Sequence, residues 1–196
     1  MPVTRKTGEE QFHNSGNPIH VSVNDFWTWA HSDLLNNAAR GVLAEILVAS
    51  ALDVADGTRI EWDAKDILSK SGVKIEVKSA AYIQSWKQEK LSPISFDIAK
   101  KYAWDSETNT TSETRVRSSD IYVFCLLDEK DQNRIDPLDL SLWRFYVVKS
   151  RRLDIELGDQ KSISLSRLKA LGASPLTYDE LAFQIDAAMH TQVPFG

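Results

Sequence analysis

The stretch KDILSKSGVKIEVKSAAYIQ, residues 65–84, decides the fold. Ile67 and Leu68 make a short first arm, Ser71-Gly72 a turn and residues 73–83 a longer second arm, a pattern that predicts a β-hairpin. The second arm alternates. Ile75, Val77, Ala81 and Ile83 fall on one side together with Ser79, and Glu76, Lys78, Ala80, Tyr82 and Gln84 fall on the other. Glu76, Lys78 and Gln84 therefore share a face. With Asp66 on the neighbouring arm, these are residue types that can hold a divalent cation and a water beside a phosphate.

Upstream of the hairpin, FWTWAHSDLLNNAARGVLAEILVASALD (26–53) has helical periodicity, with Ser22 or Asn24 as the cap and a break near Ser32. Leu35, Ala39, Val42, Leu43, Ile46, Leu47 and Ser50 form the expected apolar face. Glu45 lies at the edge of that face or on it. A glutamate there either reaches water at the helix margin or belongs to a site. TRIEWDA (58–64) has strand character. Downstream, SFDIAKKYAW (95–104) predicts a short helix, and DSETNTTSETRVRSS (105–119) a long polar loop. DIYVFCLLD (120–128) is a continuous apolar run expected as a buried central strand, and LWRFYVVKS (142–150) is an alternating, β-branched and aromatic strand. Two helices close the chain, at 164–171 and 177–190. The order predicts an α/β sandwich in which helices flank a mixed sheet, with an antiparallel meander and a helical crossover to a further strand. Residues 1–20 are expected as a flexible N-terminal arm and 21–196 as one domain, with a core at about 35–150 and a helical extension at 151–196.

Composition is that of a globular protein: 196 residues, 42% hydrophobic and 26% charged. No apolar run approaches the roughly 18 residues of a membrane helix, and the N-terminus has no apolar segment of the kind a signal peptide carries. One cysteine, Cys125, excludes an internal disulfide and fits a reducing, cytoplasmic setting. One Cys and four scattered His exclude zinc-ligand spacing. The net charge of −5 is unevenly spread: residues 59–101 hold nine Lys/Arg against six Asp/Glu, a net of +3, which leaves −8 for the rest. The central segment is the part suited to an anionic partner.

Acid-x-Lys triplets arise by chance, and Asp63-x-Lys65 and Asp128-x-Lys130 stand beside Glu76-x-Lys78. The last is set apart by Asp66 upstream, by apolar residues at 73, 75 and 77, and by the preceding helix with Glu45. This combination resembles the PD-(D/E)XK superfamily, the restriction-endonuclease-like nucleases, over residues of about 35–150. The family's proline before the first acid is absent, since Lys65 precedes Asp66. The resemblance implies a restriction-endonuclease-like fold and a metal-dependent DNA endonuclease of restriction or defence type. It implies Mg²⁺ or Mn²⁺ on Asp66, Glu76, Glu45 and the Val77 carbonyl, with Lys78 orienting the attacking water or neutralising charge on the phosphate. Gln84 then positions water or substrate, with Gln88 as the substitute, and Asp63 is the rival to Asp66. It further implies DNA as partner, with a homodimer or a partner subunit open.

Each residue also has a plainer reading. Asp66 can simply begin a hairpin arm, and Glu76 and Lys78 can be a solvent-facing pair. A nuclease fold that binds nucleic acid or protein without turnover is the alternative function. Trp27, Trp29, Trp143, Phe145 and Tyr146 read as core. Trp86, in QSWKQEK beside Lys87, either stacks a base or packs under its loop. Lys100, Lys101, Arg115 and Arg117 are phosphate-contact candidates, or else members of a solvated loop.

Overall fold

The computed structural model describes residues 3–59, 65–105 and 110–190. In chain order the elements are β1 (Gln11–Asn14), β2 (Asn17–Ser22), α1 (Val23–His31), α2 (Asn37–Ala51), β3 (Ile67–Leu68), β4 (Lys74–Ala81), β5 (Ser95–Asp97), β6 (Lys101–Asp105), β7 (Thr110–Val116), β8 (Ile121–Leu127), β9 (Trp143–Lys149), α3 (Ser150–Leu157), β10 (Ser162–Ser164), α4 (Leu165–Ala170) and α5 (Tyr178–His190).

The expected hairpin is present as β3–β4, paired antiparallel with Ile67 opposite Ile75, and Gly72 takes the left-handed φ of +84° that its turn requires. β4 continues into a mixed sheet of order β3-β4-β8-β9, parallel to β8 and with β8 antiparallel to β9. All seven residues of β8 are buried, as the unbroken apolar run IYVFCLL demands of a central strand.

Alternation along the strands divides the core between two faces. Ile75, Val77, Ala81, Val123 and Cys125 pack on one side with Ala44 and Val48 of α2 and Leu181 and Ile185 of α5. Ala80, Tyr122, Phe124 and Tyr146 pack on the other with Phe96 of β5, Leu153 of α3 and Leu168 of α4. The architecture is thus a mixed sheet between helices. Each fully buried Leu, Ile or Phe contributes about 1.5–3 kcal/mol relative to exposure, and Phe96 against Phe124, ring centroids 5.0 Å apart, holds β5 onto the sheet.

The helix does break after His31. Ser22 caps α1 in a capping box with Asp25, and Asn36 caps α2. Several expectations are corrected. The 95–104 helix is instead β5 and β6, and the polar stretch after it contains β7, antiparallel to β6. The crossover from β4 to β8 therefore runs through strands rather than a helix. β7 exposes six of its seven residues along both faces, so it lacks the one-sided alternation that betrays a strand. The buried stripe of α2 is Arg40, Ala44, Val48 and Ala49, while Val42 and Ile46 are 43% and 44% exposed. Trp143, Phe145 and Tyr146 are core, but Trp27 and Trp29 are not, at 39% and 86% exposed. Within the polar first twenty residues, β1 and the start of β2 form a hairpin turning on Ser15 and Gly16, both at positive φ. α3 and β10 follow β9, and no motif announced them. The strand expected at 58–64, and Asp63 with it, falls largely outside the described residues.

Candidate active site

The hairpin register places the acids. Asp66 donates its backbone N–H to the Ile75 carbonyl at 3.1 Å, and its Oδ2 accepts the Val77 N–H at 2.7 Å. The Asp66 carboxylate therefore sits against the backbone between Glu76 and Lys78. Those two face the opposite side of β4 from Ile75 and Val77, and Lys78 Nζ donates to Glu76 Oε1 at 2.5 Å. Their side chains are only 14% and 19% exposed, so the pair is largely withdrawn from water.

Glu45 comes from the middle of α2. Both of its oxygens are taken by Arg59, whose Nε and Nη2 lie 2.5 and 3.0 Å away. Glu45 and Asp66 line one cleft of about 630 Å³, whose apolar wall is Trp27, Val42, Ile46 and Leu68. This explains why Val42 and Ile46 are not packed: they border the cleft.

Three acids, Glu45, Asp66 and Glu76, thus stand with two cations, Arg59 and Lys78. Asp66 bears the imbalance. Burial first, then the Glu76 charge and a smaller push from Glu45, outweigh the Val77 N–H and Lys78, and its carboxyl is pushed up to about 6. For Lys78, burial works to lower the pKa, but the charge and hydrogen bond of Glu76, with Asp66 and Asp97 behind them, hold it above the ordinary lysine value. The ammonium form of Lys78 is thereby favoured.

The sequence-predicted residues do not all converge. Gln84 lies beyond the end of β4; its amide donates to Ala81 O at 2.8 Å and accepts from Arg40 at 3.2 Å, so its contacts point away from Glu76 and Lys78. Gln88 pins the 84–92 loop by accepting the Gln84 N–H at 2.7 Å and donating to Ser92 Oγ at 3.0 Å. Arg117 is corrected outright: its side chain is wholly buried and donates to the carbonyls of Ile98, Gly158 and Gln160 and to Asp154. No phosphate reaches it there. Lys100 pairs with Asp159 at 2.9 Å, and Lys101 lies 3.7 Å from Asp97. Arg115 sits over the Tyr102 ring at 5.3 Å, Trp86 is 56% exposed and Lys87 is exposed. Arg59, Asp97 and Arg40 were not foreseen. Arg59 and Asp97 bear on the site through Glu45 and Lys78, partners distant in sequence, and no local pattern signals that.

The bacteriophage T4 endonuclease IV family matches residues 22–167, 146 of the 196 in the chain. The chain belongs to the bacteriophage T4 endonuclease IV family. No curated protein and no solved structure matches it. The matched span contains Glu45, Asp66, Glu76 and Lys78 and the whole four-stranded sheet. Membership in this endonuclease family supports a nuclease acting on DNA. Among the described residues, no helix is long and apolar enough to cross a membrane.

Proposed function

We propose that the chain is a metal-dependent DNA endonuclease of the PD-(D/E)XK, restriction-endonuclease-like type, serving restriction or defence in the cytoplasm. The observation that carries the reading is the hydrogen bond that joins Asp66 to the strand bearing Glu76 and Lys78, within a family of endonucleases.

The donor chemistry fits a hard dication. Asp66 and Glu76 are oxygen donors, and burial together with the Glu76 charge leaves Asp66 reluctant to ionise without a cation. Among the described residues no three His, Cys, Asp or Glu are gathered to hold a metal, and both Glu45 oxygens are taken by Arg59. Asp66 and Glu76 would therefore be the principal ligands of Mg²⁺ or Mn²⁺, with the Val77 carbonyl beside them and Glu45 reached through a water or after releasing Arg59. Such an ion polarises a phosphoryl oxygen and acidifies a bound water.

The chain's own residues supply the rest. Lys78, kept protonated by Glu76, offers its N–H groups to the phosphate and offsets the negative charge that grows there. Glu76 fixes the direction of that ammonium. Asp66, ionised above about pH 6, holds the ligand position that the Val77 N–H orients. Lys87, Lys101 and Arg115 lie on the surface and provide phosphate contacts. A homodimer or a partner subunit would complete recognition of the duplex.

The pairing of Glu45 with Arg59 and of Glu76 with Lys78 favours one second reading, a nuclease fold that binds nucleic acid or protein without turnover. Incubating the purified protein with plasmid DNA in Mg²⁺, Mn²⁺ or EDTA separates the two: metal-dependent nicking belongs to the first and binding without product to the second.

A further inference from the structure

Residues 8–31, which comprise β1, β2 and α1, form an arm with almost no interior. Of these 24 residues only Gly8 is buried. Phe12, Ile19, Val21, Phe26, Trp27 and Trp29 stand 39% to 86% exposed. A two-stranded hairpin and a helix of nine residues are each marginal in water unless something packs on them. The arm holds its own shape through the N–H groups of Val23 and Asn24, which donate to the carbonyls of Glu10 and Gly8, both at 2.9 Å. Trp27 joins it to the body: its ring would stand 3.2 Å from a Cβ at Gly8, and it lines the cleft that holds Glu45 and Asp66.

On α1, Phe26 and Trp29 are three residues apart and so share a side of the helix. Along the cleft, Val42 and Ile46, one turn apart on α2, and Leu68 of β3 are also 43% to 47% exposed. Trp27 links the two patches into one apolar surface. Such a surface on a globular chain marks an interaction site. Charge narrows the partner. Residues 8–31 hold Glu9, Glu10 and Asp25 and no Lys or Arg, a net of −3. Three acids on the arm that bears the indoles repel phosphate, which disfavours nucleic acid there. They complement residues 59–101, net +3, the segment that supplies Arg59 and Leu68 to the cleft. The arm and its complement thus lie on one chain, the condition for a two-fold contact in which each surface is used twice. The area suffices. Four aromatics at about half exposure offer roughly 400 Å², and the five aliphatics roughly 200–300 Å² more. Together these supply most of the about 800 Å² that each partner of a stable complex covers.

We propose that this surface docks a second copy of the chain, in a two-fold pair where Phe26 and Trp29 of each α1 cover Val42, Ile46 and Leu68 of the other copy. The homodimer left open by the endonuclease reading thereby acquires a surface, one that rests on the exposed arm and its charge and not on the nuclease chemistry. Each cleft with its Glu45 and Asp66 is then walled on the apolar side by the other copy's α1.

The test is sedimentation velocity of the full chain, without DNA or metal, from micromolar concentration to about 0.1 mM. The expected mass moves from the 22.1 kDa of one chain toward twice that value. Trp29→Ser removes a side chain that is 86% exposed, so the fold is kept, and it raises the dimer dissociation constant by about tenfold or more. Val42→Asp sets an acid against the acidic arm and does the same. Phe183→Ser, on an exposed aromatic outside this surface, leaves the constant unchanged. A mixture of Trp29→Ser with Val42→Asp keeps one of the two arm contacts intact, and it associates more tightly than either variant alone. If Val42→Asp does not fold, Trp29→Ser and Phe26→Ser decide the question. A chain that stays monomeric at the highest concentration overturns the proposal, as does a dimer that Trp29→Ser and Phe26→Ser leave unchanged. A monomer whose DNA affinity falls in Trp29→Ser overturns it too and assigns the surface to nucleic acid. Plasmid cleavage in Mg²⁺ is read separately. Cleavage by a monomer removes the dimer and leaves the nuclease, and a dimer that Trp29→Ser weakens, without cleavage, does the reverse.

Discussion

The carboxylate of Asp66 accepts the backbone N–H of Val77, eleven residues along the chain, at 2.7 Å. The site thereby depends on hairpin register: slipping β3 by one residue against β4 would remove Asp66 from the strand that carries Glu76 and Lys78. It also fixes one acid of a group in which negative charges outnumber positive ones, and that excess has measurable consequences.

Asp66 makes stability depend on pH in the metal-free protein. Its folded pKa, about 6, lies above that of a free carboxyl, so folding favours the protonated form. That contribution is whole below about pH 4 and lost as the pH rises through 6. Asp66→Asn keeps an oxygen for the Val77 N–H and removes the charge. In EDTA the variant is expected to be more stable than wild type at pH 8 by about 1–3 kcal/mol, and equal to it at pH 4. Urea unfolding at both values checks this, and a variant less stable at pH 8 contradicts it.

Lys78→Met is expected to lower the cleavage rate by about 10²–10³-fold, the cost of losing one positioned donor at a developing charge. Since the removed ammonium is a largely buried partner of Glu76, circular dichroism accompanies the assay to show that the fold is retained. A folded variant cleaving at the wild-type rate would remove Lys78 from the chemistry.

Arg117→Ala is expected to affect stability and not DNA affinity. It orphans the carbonyls of Ile98, Gly158 and Gln160 and breaks the tie from the residues before β8 to α3. A loss of roughly 2–4 kcal/mol follows from leaving such groups unsatisfied. Thermal melts measure it. A normally stable variant with weakened DNA binding would place Arg117 on the phosphate surface after all.

These two basic residues show where sequence reading works and where it stops. β4 was legible because apolar Ile75 and Val77 alternate with Glu76 and Lys78 on the opposite face, and β8 because a strand covered on both sides by core must be apolar throughout. β7 was not, because an exposed strand puts no hydrophobic constraint on its residues. Glu76 and Lys78 could be found together because they lie two apart on one strand. Arg117 looked like its neighbour Arg115, and only the distant carbonyls around it show the difference. Arg40 lay within a helix whose apolar stripe was misplaced. Trp27 and Trp29 read as core because composition cannot tell a packed indole from an open one; Trp27 lines the cleft and Trp29 is 86% exposed. The Asp66, Glu76 and Lys78 pattern points to a nuclease, and membership in the endonuclease IV family agrees with it.

The exposed cations predict a salt signature. Lys87→Ala is expected to reduce the slope of log affinity against log salt by about 1 for DNA, with a similar loss on all sequences, as expected for a phosphate contact. Titrations at several salt concentrations test it, and an unchanged slope would assign Lys87 to solvent.

The most direct measurement of the central claim is cleavage of supercoiled plasmid by the purified chain in Mg²⁺, Mn²⁺ and EDTA, run beside Glu76→Gln. The account predicts nicked or linear product with either metal, none in EDTA, and loss of product in a folded Glu76→Gln protein. Product in EDTA, or undiminished product from Glu76→Gln, would contradict it.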